Sequence, residues 1–254
     1  MKDKDDLFLK RHFMDVAMRS YERGIPIYTD FLDLHEQGIL QSLLPSLHVS
    51  VEFYGGFGYA QRQVAVFLQS DAFFEINDST YPISALTLKP KNPRFAENLS
   101  HRDYLGALMN LGIERELIGD ILIQEDGSAV VFCINRAVDI LSGIHRIRHT
   151  EVIVEETSLS HIDYEPKFRE VMLQLASNRI DALLSAAVHR SRKDVNTLLD
   201  QGKVFVNAKE CYGHNHQLKE NDLLSIRGIG KFEIASFLGE TKKGKIKVLI
   251  RWFE

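Results

Sequence analysis

Residues 178–207 read NRIDALLSAAVHRSRKDVNTLLDQGKVFVN, and this stretch predicts two short helices followed by a strand. Apolar residues of the first helix recur at the spacing i, i+3, i+4, i+7 and i+8, at Ile180, Leu183, Leu184, Ala187 and Val188. We expect Asn178 to cap this helix. Ser191 and Asp194 have the spacing of a capping box for the second helix, and Gly202 should end it.

Cations stand at the start of both predicted helices. Arg179 opens the first helix, and Arg192 and Lys193 open the second. A helix N-terminus carries about half a positive charge, so cations are mildly unfavourable there unless an anion binds. Free backbone N–H groups beside an Arg at a helix start form a phosphate site. Each side chain alone could simply point into solvent, but the three together indicate phosphate binding.

The same stretch resembles the S4 RNA-binding domain. The matching runs are Arg179-Ile180-Asp181, Ser191-Arg192, GKVFVN at 202–207 and DLLSIRG at 222–228. The resemblance implies a module that grips structured RNA. With the cation pattern, it assigns RNA binding to Arg179, Asp181, Ser191, Arg192, Lys193, Lys203, Asn207, Arg227 and Lys231. Two positions depart from the usual pattern, Ile180 in place of Leu and Lys231 in place of Arg, and Lys cannot make the bidentate contact of Arg.

Composition predicts a cytoplasmic protein that does not bind a membrane. The 254 residues are 44% hydrophobic and 26% charged, which is typical of globular domains. Cys133 and Cys211 are too few for a disulfide framework, which favours a reducing compartment. Residues 1–6 lack the apolar core of a signal peptide, and no run approaches the ~18 apolar residues of a membrane span.

The net charge of −4 is unevenly distributed. Residues 178–254 hold 14 Lys and Arg against 9 Asp and Glu, a net charge of +5. The first 177 residues hold 17 against 26, a net charge of −9. A basic module on an acidic body predicts that the C-terminal part binds RNA. The acidic part would then contact protein or position the module, unless its charge only maintains solubility.

The periodicity predicts an α+β chain of three small domains, at 1–78, 79–160 and 170–254. In the first, an N-terminal α+β domain, we expect a helix ended by Gly24 and Pro26, a second helix over Asp30–Leu44, and strands at His48–Phe53 and Gln63–Gln69. The loop YGGFGY at 54–59 carries three aromatics that could stack on bases. Three glycines between two strands are more often turn chemistry.

The central domain reads strand, helix, strand, strand, helix, strand, the order of a ferredoxin-like sandwich. The expected elements are strands at Ile83–Leu88, Asp120–Gln124, Ser128–Ile134 and Thr150–Val154, and helices at Arg102–Leu111 and Arg136–Leu141. RNA-recognition domains share this order but pair aromatics on their third strand. Phe132 stands alone there, so base stacking on this sheet is not expected.

A second resemblance extends over essentially the whole chain. The run HRDYLGALMNLGIERELIGDI at 101–121, with RGIGKF at 227–232 and GETKKGKI at 239–246, is similar to the bacterial YlmH family. This resemblance implies a non-catalytic protein without cofactor, which binds ribosomal RNA and tRNA on the large ribosomal subunit. It further implies a role in ribosome-associated quality control of stalled peptidyl-tRNA, with quality-control proteins as further partners. His101, Arg102 and Asp103 are then a secondary RNA-contacting or structural motif.

The alternative is an RNA-modifying enzyme, of the pseudouridine synthase or methyltransferase type, with an appended S4 domain. Its active site would lie within residues 1–157, around His101-Arg102-Asp103. No nucleotide-binding motif supports it: residues 239–245 have P-loop spacing, but Ile246 replaces the Ser or Thr that binds magnesium, and a basic hairpin is expected instead. Cys211, His214 and His216 lack an evident fourth metal ligand, so no metal site is predicted.

Overall fold

The computed structural model describes residues 2–69, 76–162, 164 and 166–253, and the protein is of the expected α+β class. The chain divides into two compact units, Met1–Tyr164 and Glu165–Glu254, which we call the N-terminal unit and the C-terminal unit. The expected boundary near residue 78 lies inside the N-terminal unit, so the division into three domains stays a prediction.

The first part of the N-terminal unit packs two helices on a three-stranded sheet. Its elements are α1 (Lys2–Arg23), β1 (Ile27–Leu32), α2 (Leu34–Leu43), β2 (Ser50–Tyr54) and β3 (Gln63–Leu68). The antiparallel strands lie in the order β1-β3-β2. The apolar stripe of α1 buries Phe13 against Phe67 of β3, and Leu40 of α2 completes this core.

The helix predicted from Asp30 is wrong at its start, because β1 occupies the residues as far as Leu32. The helix begins only after Asp33, whose carboxylate accepts the Glu36 N–H at 2.9 Å. The Glu36 carboxylate in turn accepts the Asp33 N–H at 2.7 Å. This reciprocal capping box was readable in the sequence as Asp33-x-x-Glu36 and places the helix start correctly.

The second part of the N-terminal unit is a five-stranded antiparallel sheet with two helices. Its elements are β4 (Ile83–Pro90), α3 (His101–Met109), β5 (Ile118–Ile123), β6 (Ala129–Ile134), α4 (Val138–Ser142), β7 (Arg146–Ile147) and β8 (Thr150–Thr157). The strands lie in the order β5-β6-β4-β8-β7. The predicted order of strands and helices is confirmed, with the two-residue strand β7 added at the edge.

Both faces of this sheet are covered. On one face, Tyr104 and Leu108 of α3 are buried with Val131 of β6. On the other, Phe132 joins the core of the first sheet, and the Phe57 ring stacks on it with 4.9 Å between centroids. Gly56, with φ +97°, permits this approach, because a Cβ there would lie 2.3 Å from the Phe132 ring. The Phe57 ring of the loop at 54–59 is therefore part of the core, and the positive φ of Gly56 fits the predicted turn chemistry.

The C-terminal unit packs two helices on a six-stranded antiparallel sheet. Its elements are β9 (Phe168–Leu175), α5 (Ile180–Ala187), α6 (Arg192–Asp200), β10 (Val204–Val206), β11 (Lys209–Glu210), β12 (Leu223–Ile226), β13 (Gly230–Glu240) and β14 (Ile246–Phe253). The strand order is β11-β10-β12-β13-β14-β9. The predicted apolar faces of both helices are buried on the sheet, where Leu183 and Leu199 share a core with Phe232.

Among the residues that the structure describes, no helix is long and apolar enough to cross a membrane.

Candidate nucleic-acid interface

The start of α5 is closed by contacts within the protein. Arg179 is the N-cap residue, so the expected cap, Asn178, is wrong. The Ile180 N–H donates to the His216 carbonyl at 2.9 Å. The Arg179 guanidinium donates two 3.1 Å hydrogen bonds to the Asp181 carboxylate, which is buried. The anion expected at this helix start is thus supplied by the chain itself, and Arg179 keeps a side chain that is 39% exposed.

The start of α6 carries its own acidic residue, Asp194, but its two cations are not paired with it. Ser191 caps it as predicted, since its hydroxyl oxygen accepts the Asp194 N–H at 3.2 Å and the hydroxyl donates to the Asp194 carboxylate at 2.6 Å. Arg192 and Lys193 follow in the first turn and are exposed. Within the described parts of the chain, neither side chain has a hydrogen-bond or ion-pair partner. Two free cations therefore stand beside a positive helix end.

Lys203 and Arg227 lie side by side on neighbouring segments. The Arg227 N–H donates to the Lys203 carbonyl at 2.8 Å, which brings two of the predicted cations together. The Arg227 guanidinium lies over the buried Phe205 ring, 5.7 Å from its centroid, and Arg227 is exposed. Stacking on the ring orients a cation that still faces solvent.

Asn207 uses its side chain to support the fold. Its amide NH2 donates to the Asp222 carboxylate at 2.8 Å, and its amide oxygen accepts the Leu223 N–H at 2.9 Å. Asp222 is buried and also accepts the Lys219 N–H at 2.7 Å. The structure therefore gives Asn207 a structural role in the β10–β11 turn.

Lys231 is largely buried and is therefore not one of the exposed cations. It is only 9% exposed, and its ammonium lies 4.5 Å from the centroid of the Phe253 ring. The motif position that the resemblance assigns to RNA thus packs against an aromatic ring. Among the residues of the C-terminal unit assigned to RNA, the exposed cations are Arg192, Lys193 and Arg227, with Arg179 and Lys203 partly exposed.

The His101-Arg102-Asp103 motif lies in the N-terminal unit, at the start of α3. The Asp103 carboxylate accepts hydrogen bonds from the Ser100 hydroxyl at 2.6 Å and from the Ser100 N–H at 2.9 Å, and these bonds lower its pKa. Arg148 lies 3.4 Å from the same carboxylate. Partial burial and the Arg115 guanidinium lower the pKa of His101. Asp103 thus acts as a helix-capping residue.

The residues considered for metal and nucleotide binding make local contacts in the C-terminal unit. Nε2 of His214 lies 2.8 Å from the Asp200 carboxylate, and the described residues contain no cluster of three potential metal ligands. Residues 241–245 form the turn between β13 and β14, closed by a 2.7 Å hydrogen bond from the Thr241 N–H to the Lys245 carbonyl. This is the basic hairpin that the sequence predicted.

One feature of the C-terminal unit escaped the sequence interpretation. A groove of about 460 Å³ lies where the C-terminal end of α5 meets the ends of β9 and β14. Its lining includes Arg169, His189, Arg190 and Trp252. These residues come from separate segments, so no local sequence pattern predicts that they line one groove. The available signal was the cation that follows the apolar face of the first helix, at Arg190.

The comparisons with known proteins agree with one another. Residues 77–161 match the family described as "Putative RNA-binding domain in YlmH". The chain is 30% identical over 224 residues to a Bacillus subtilis (strain 168) protein named "Ribosome-associated protein quality control protein P2". The alignment covers 87% of this chain and 84% of that protein.

A solved structure shares the fold. It is the "Cell division protein ylmH from Streptococcus pneumoniae", with a TM-score of 0.52 and 24% sequence identity. The match covers 64% of this chain and 94% of the other. The extent of the Bacillus subtilis match and the family match at 77–161 lead to one assignment. The chain belongs to the YlmH family.

Proposed function

We propose that this protein is an RNA-binding factor of ribosome-associated quality control, working in the cytoplasm. In this proposal the C-terminal unit is an S4 module that holds ribosomal RNA and tRNA on the large ribosomal subunit. The name of the Bacillus subtilis relative and the RNA-binding description of the matched family support the general role. Proteins of the same quality-control process would be further partners.

The observation that carries the proposal is the pair of free cations at the start of α6. Arg192 and Lys193 are exposed and have no partner among the residues that the structure describes. In the N-terminal unit, by contrast, Lys89 lies 2.6 Å from Glu155, and Lys91 lies 3.2 Å from Glu151. Free cations release counterions when they meet phosphate, whereas paired ones must first give up their carboxylates.

We further propose that the protein acts by binding and holds no catalytic centre. In the enzyme alternative the active site lies around His101-Arg102-Asp103, where the Asp103 carboxylate would be the general base. Its hydrogen bonds from Ser100 and its ion pair with Arg148 support a structural role instead. A general base needs a carboxylate within reach of the substrate proton, with a pKa near the working pH, and these contacts shift the Asp103 pKa away from it.

The test removes the two free cations with Arg192→Gln and Lys193→Gln. We expect weaker binding to fragments of ribosomal RNA, and a salt dependence of log K flatter by about one unit per lost phosphate contact. The same double variant should lose co-sedimentation with large ribosomal subunits in cell lysates. Arg179 is left intact, because its removal would leave the buried Asp181 carboxylate unpaired and destabilise the unit.

The matched control is Lys10→Gln with Arg11→Gln, which removes the same charge from the exposed side of α1, outside the residues 77–161 that match the RNA-binding family. It should leave both the salt dependence and the co-sedimentation unchanged. An equal loss of RNA affinity in both double variants would show that only the net charge of the protein matters. An unchanged slope in the α6 variant would exclude this helix start from the interface. Cryo-electron microscopy of large subunits isolated with the tagged protein would then identify the RNA that is contacted.

A further inference from the structure

The groove at the C-terminal end of α5 combines cations with an aromatic ring. Arg169 and Trp252 are directly paired across β9 and β14, so their side chains leave the same face of the sheet. Arg190 approaches from the segment that follows α5, and all three line the groove. Its volume of about 460 Å³ falls in the range of ~300–1,000 Å³ of small-ligand sites.

Hydrogen bonds at the end of α5 fix the backbone of Arg190. The Arg190 N–H donates to the Ser185 carbonyl at 3.2 Å, and the Ser185 hydroxyl donates to the Arg190 carbonyl at 2.7 Å. Between them His189 has φ +53°, the left-handed conformation that favours Gly at this helix position. Retaining a side chain there costs conformational energy, and His189 is among the residues that line the groove.

The Trp252 ring is held against the backbone of β13. A Cβ at Gly230 would lie 2.9 Å from the Trp252 ring, so only Gly permits this contact. The ring also packs on buried Phe232, with 4.7 Å between centroids. Trp252 is nevertheless only partly buried and contributes to the groove wall. A fixed aromatic surface is thereby presented to whatever enters.

The cations of the groove are available. Arg169 and Arg190 are exposed, and in the described parts of the chain neither guanidinium has a hydrogen-bond or ion-pair partner. A guanidinium binds phosphate oxygens bidentately, and an aromatic ring stacks on any exposed base. Bases within a duplex are already stacked on both sides and cannot reach such a ring.

We propose that this groove binds one unpaired nucleotide of the RNA, with its base against Trp252 and its phosphate held by Arg169 and Arg190. The inference rests on the proposed RNA-binding function and adds a site to it that lies outside the S4-like motif residues. The cations at the start of α6 would hold backbone phosphates without regard to pairing. The groove would select RNA with a splayed-out base.

Trp252 is the single tryptophan of the chain, so its fluorescence reports on the groove. We would titrate the full chain with a labelled single-stranded RNA oligonucleotide, and with the blunt duplex of the same sequence. Tryptophan fluorescence and RNA anisotropy would be read in the same samples. We expect saturable quenching by the single strand at the same midpoint as the anisotropy change. The duplex should raise the anisotropy without quenching.

Substitutions distinguish binding in the groove from a general effect of positive charge. Arg169→Gln with Arg190→Gln should weaken single-strand binding about tenfold and shift the quenching midpoint equally. The matched control, Lys242→Gln with Lys243→Gln, removes the same charge from the β13–β14 turn, roughly 20 Å away along β14. It should retain full quenching. Trp252→Leu, followed by anisotropy alone, should weaken single-strand binding about tenfold and leave duplex binding unchanged.

These experiments distinguish the proposal that the groove binds a nucleotide from the proposal that the protein binds RNA at all. Two results would refute nucleotide binding in the groove while leaving RNA binding intact. One is binding of the single strand without quenching. The other is an affinity of the Arg169→Gln, Arg190→Gln variant equal to that of the unchanged protein. If that variant lost thermal stability alone, the arginine at the α5 end would merely complement the helix dipole. Absence of binding to both oligonucleotides and to ribosomal RNA fragments would refute both proposals.

Discussion

Asn207 lies in the two-residue turn between β10 and β11, where Asn207 and Ala208 have positive φ of 49° and 64°. Such a turn favours Asn because its short polar side chain tolerates the left-handed conformation. Here the amide also bonds the buried Asp222 carboxylate and the Leu223 N–H. A motif position that would be assigned to RNA is thus explained by backbone geometry and hydrogen bonding.

We expect Asn207→Ala to lower the free energy of unfolding by about 1–3 kcal/mol, because Asp222 loses a hydrogen bond in a buried position. Urea denaturation of the full chain measures this. Asn207→Gly is the control, since it loses the same bonds but relieves the left-handed strain, and it should be less destabilised by about 1 kcal/mol. RNA affinity of the folded variants should be unchanged. Unaltered stability with reduced affinity would return Asn207 to the interface.

At the scale of the elements, β6 shows how the second sheet is used. Its residues alternate between two cores, with Val131 facing the helices and Phe132 facing the first sheet. The face that RNA-recognition domains expose to bases is therefore covered by β1, β3 and the loop at 54–59. Because Phe132 is buried, its ring stacks on Phe57 and not on a base, so this strand needs no second aromatic for base stacking.

Phe132→Ala should destabilise the full chain by about 3–5 kcal/mol, because it leaves a cavity between the two sheets. The measurement is again the free energy of unfolding in urea. Phe95→Ala is the matched control, since Phe95 is 82% exposed, and it should change stability by no more than about 0.5 kcal/mol. A folded Phe132→Ala protein of ordinary stability that had lost RNA binding would contradict the structural role.

At the scale of the whole molecule, charge and architecture divide in the same way. The basic residues 178–254 lie within the C-terminal unit, which has its own core. The strand β9 begins at Phe168, two residues before the predicted start of this domain at residue 170. Phe168 and Arg169 pair with Phe253 and Trp252 of β14. A fragment starting at 170 would lose this end of the ladder and one cation of the groove.

We therefore expect a fragment of residues 166–254 to fold and to bind RNA by itself. The fragment 1–164 contains the residues 77–161 that match the RNA-binding family, but it is acidic and lacks the free cations of α6. It should therefore bind more weakly than 166–254 at about 150 mM salt. Circular dichroism would follow folding, and anisotropy of labelled ribosomal RNA fragments would follow binding. The fragment 170–254 should be less stable than 166–254. Comparable affinity of 1–164 would overturn this division of labour.

The predictions that held depend on neighbours along the chain. Helix faces, the Ser191 cap and the order of strands and helices around Asp126-Gly127 follow from periodicity and local hydrogen bonding, so the residues alone determine them. The Asp30 helix failed because two competing local signals overlapped there, a β-branched and aromatic run followed by a capping box. The Asp33–Glu36 spacing would have resolved the conflict.

The tertiary structure decided which charges are free. Arg179 and Arg192 look equivalent in the sequence. The Arg179 guanidinium is nevertheless paired with the Asp181 carboxylate, whereas no described residue pairs with the Arg192 guanidinium. The burial of Lys231 and the meeting of Arg169, Arg190 and Trp252 in one groove likewise require the sheet to close. Availability of a side chain depends on residues distant in sequence, and these are brought together only when the chain folds.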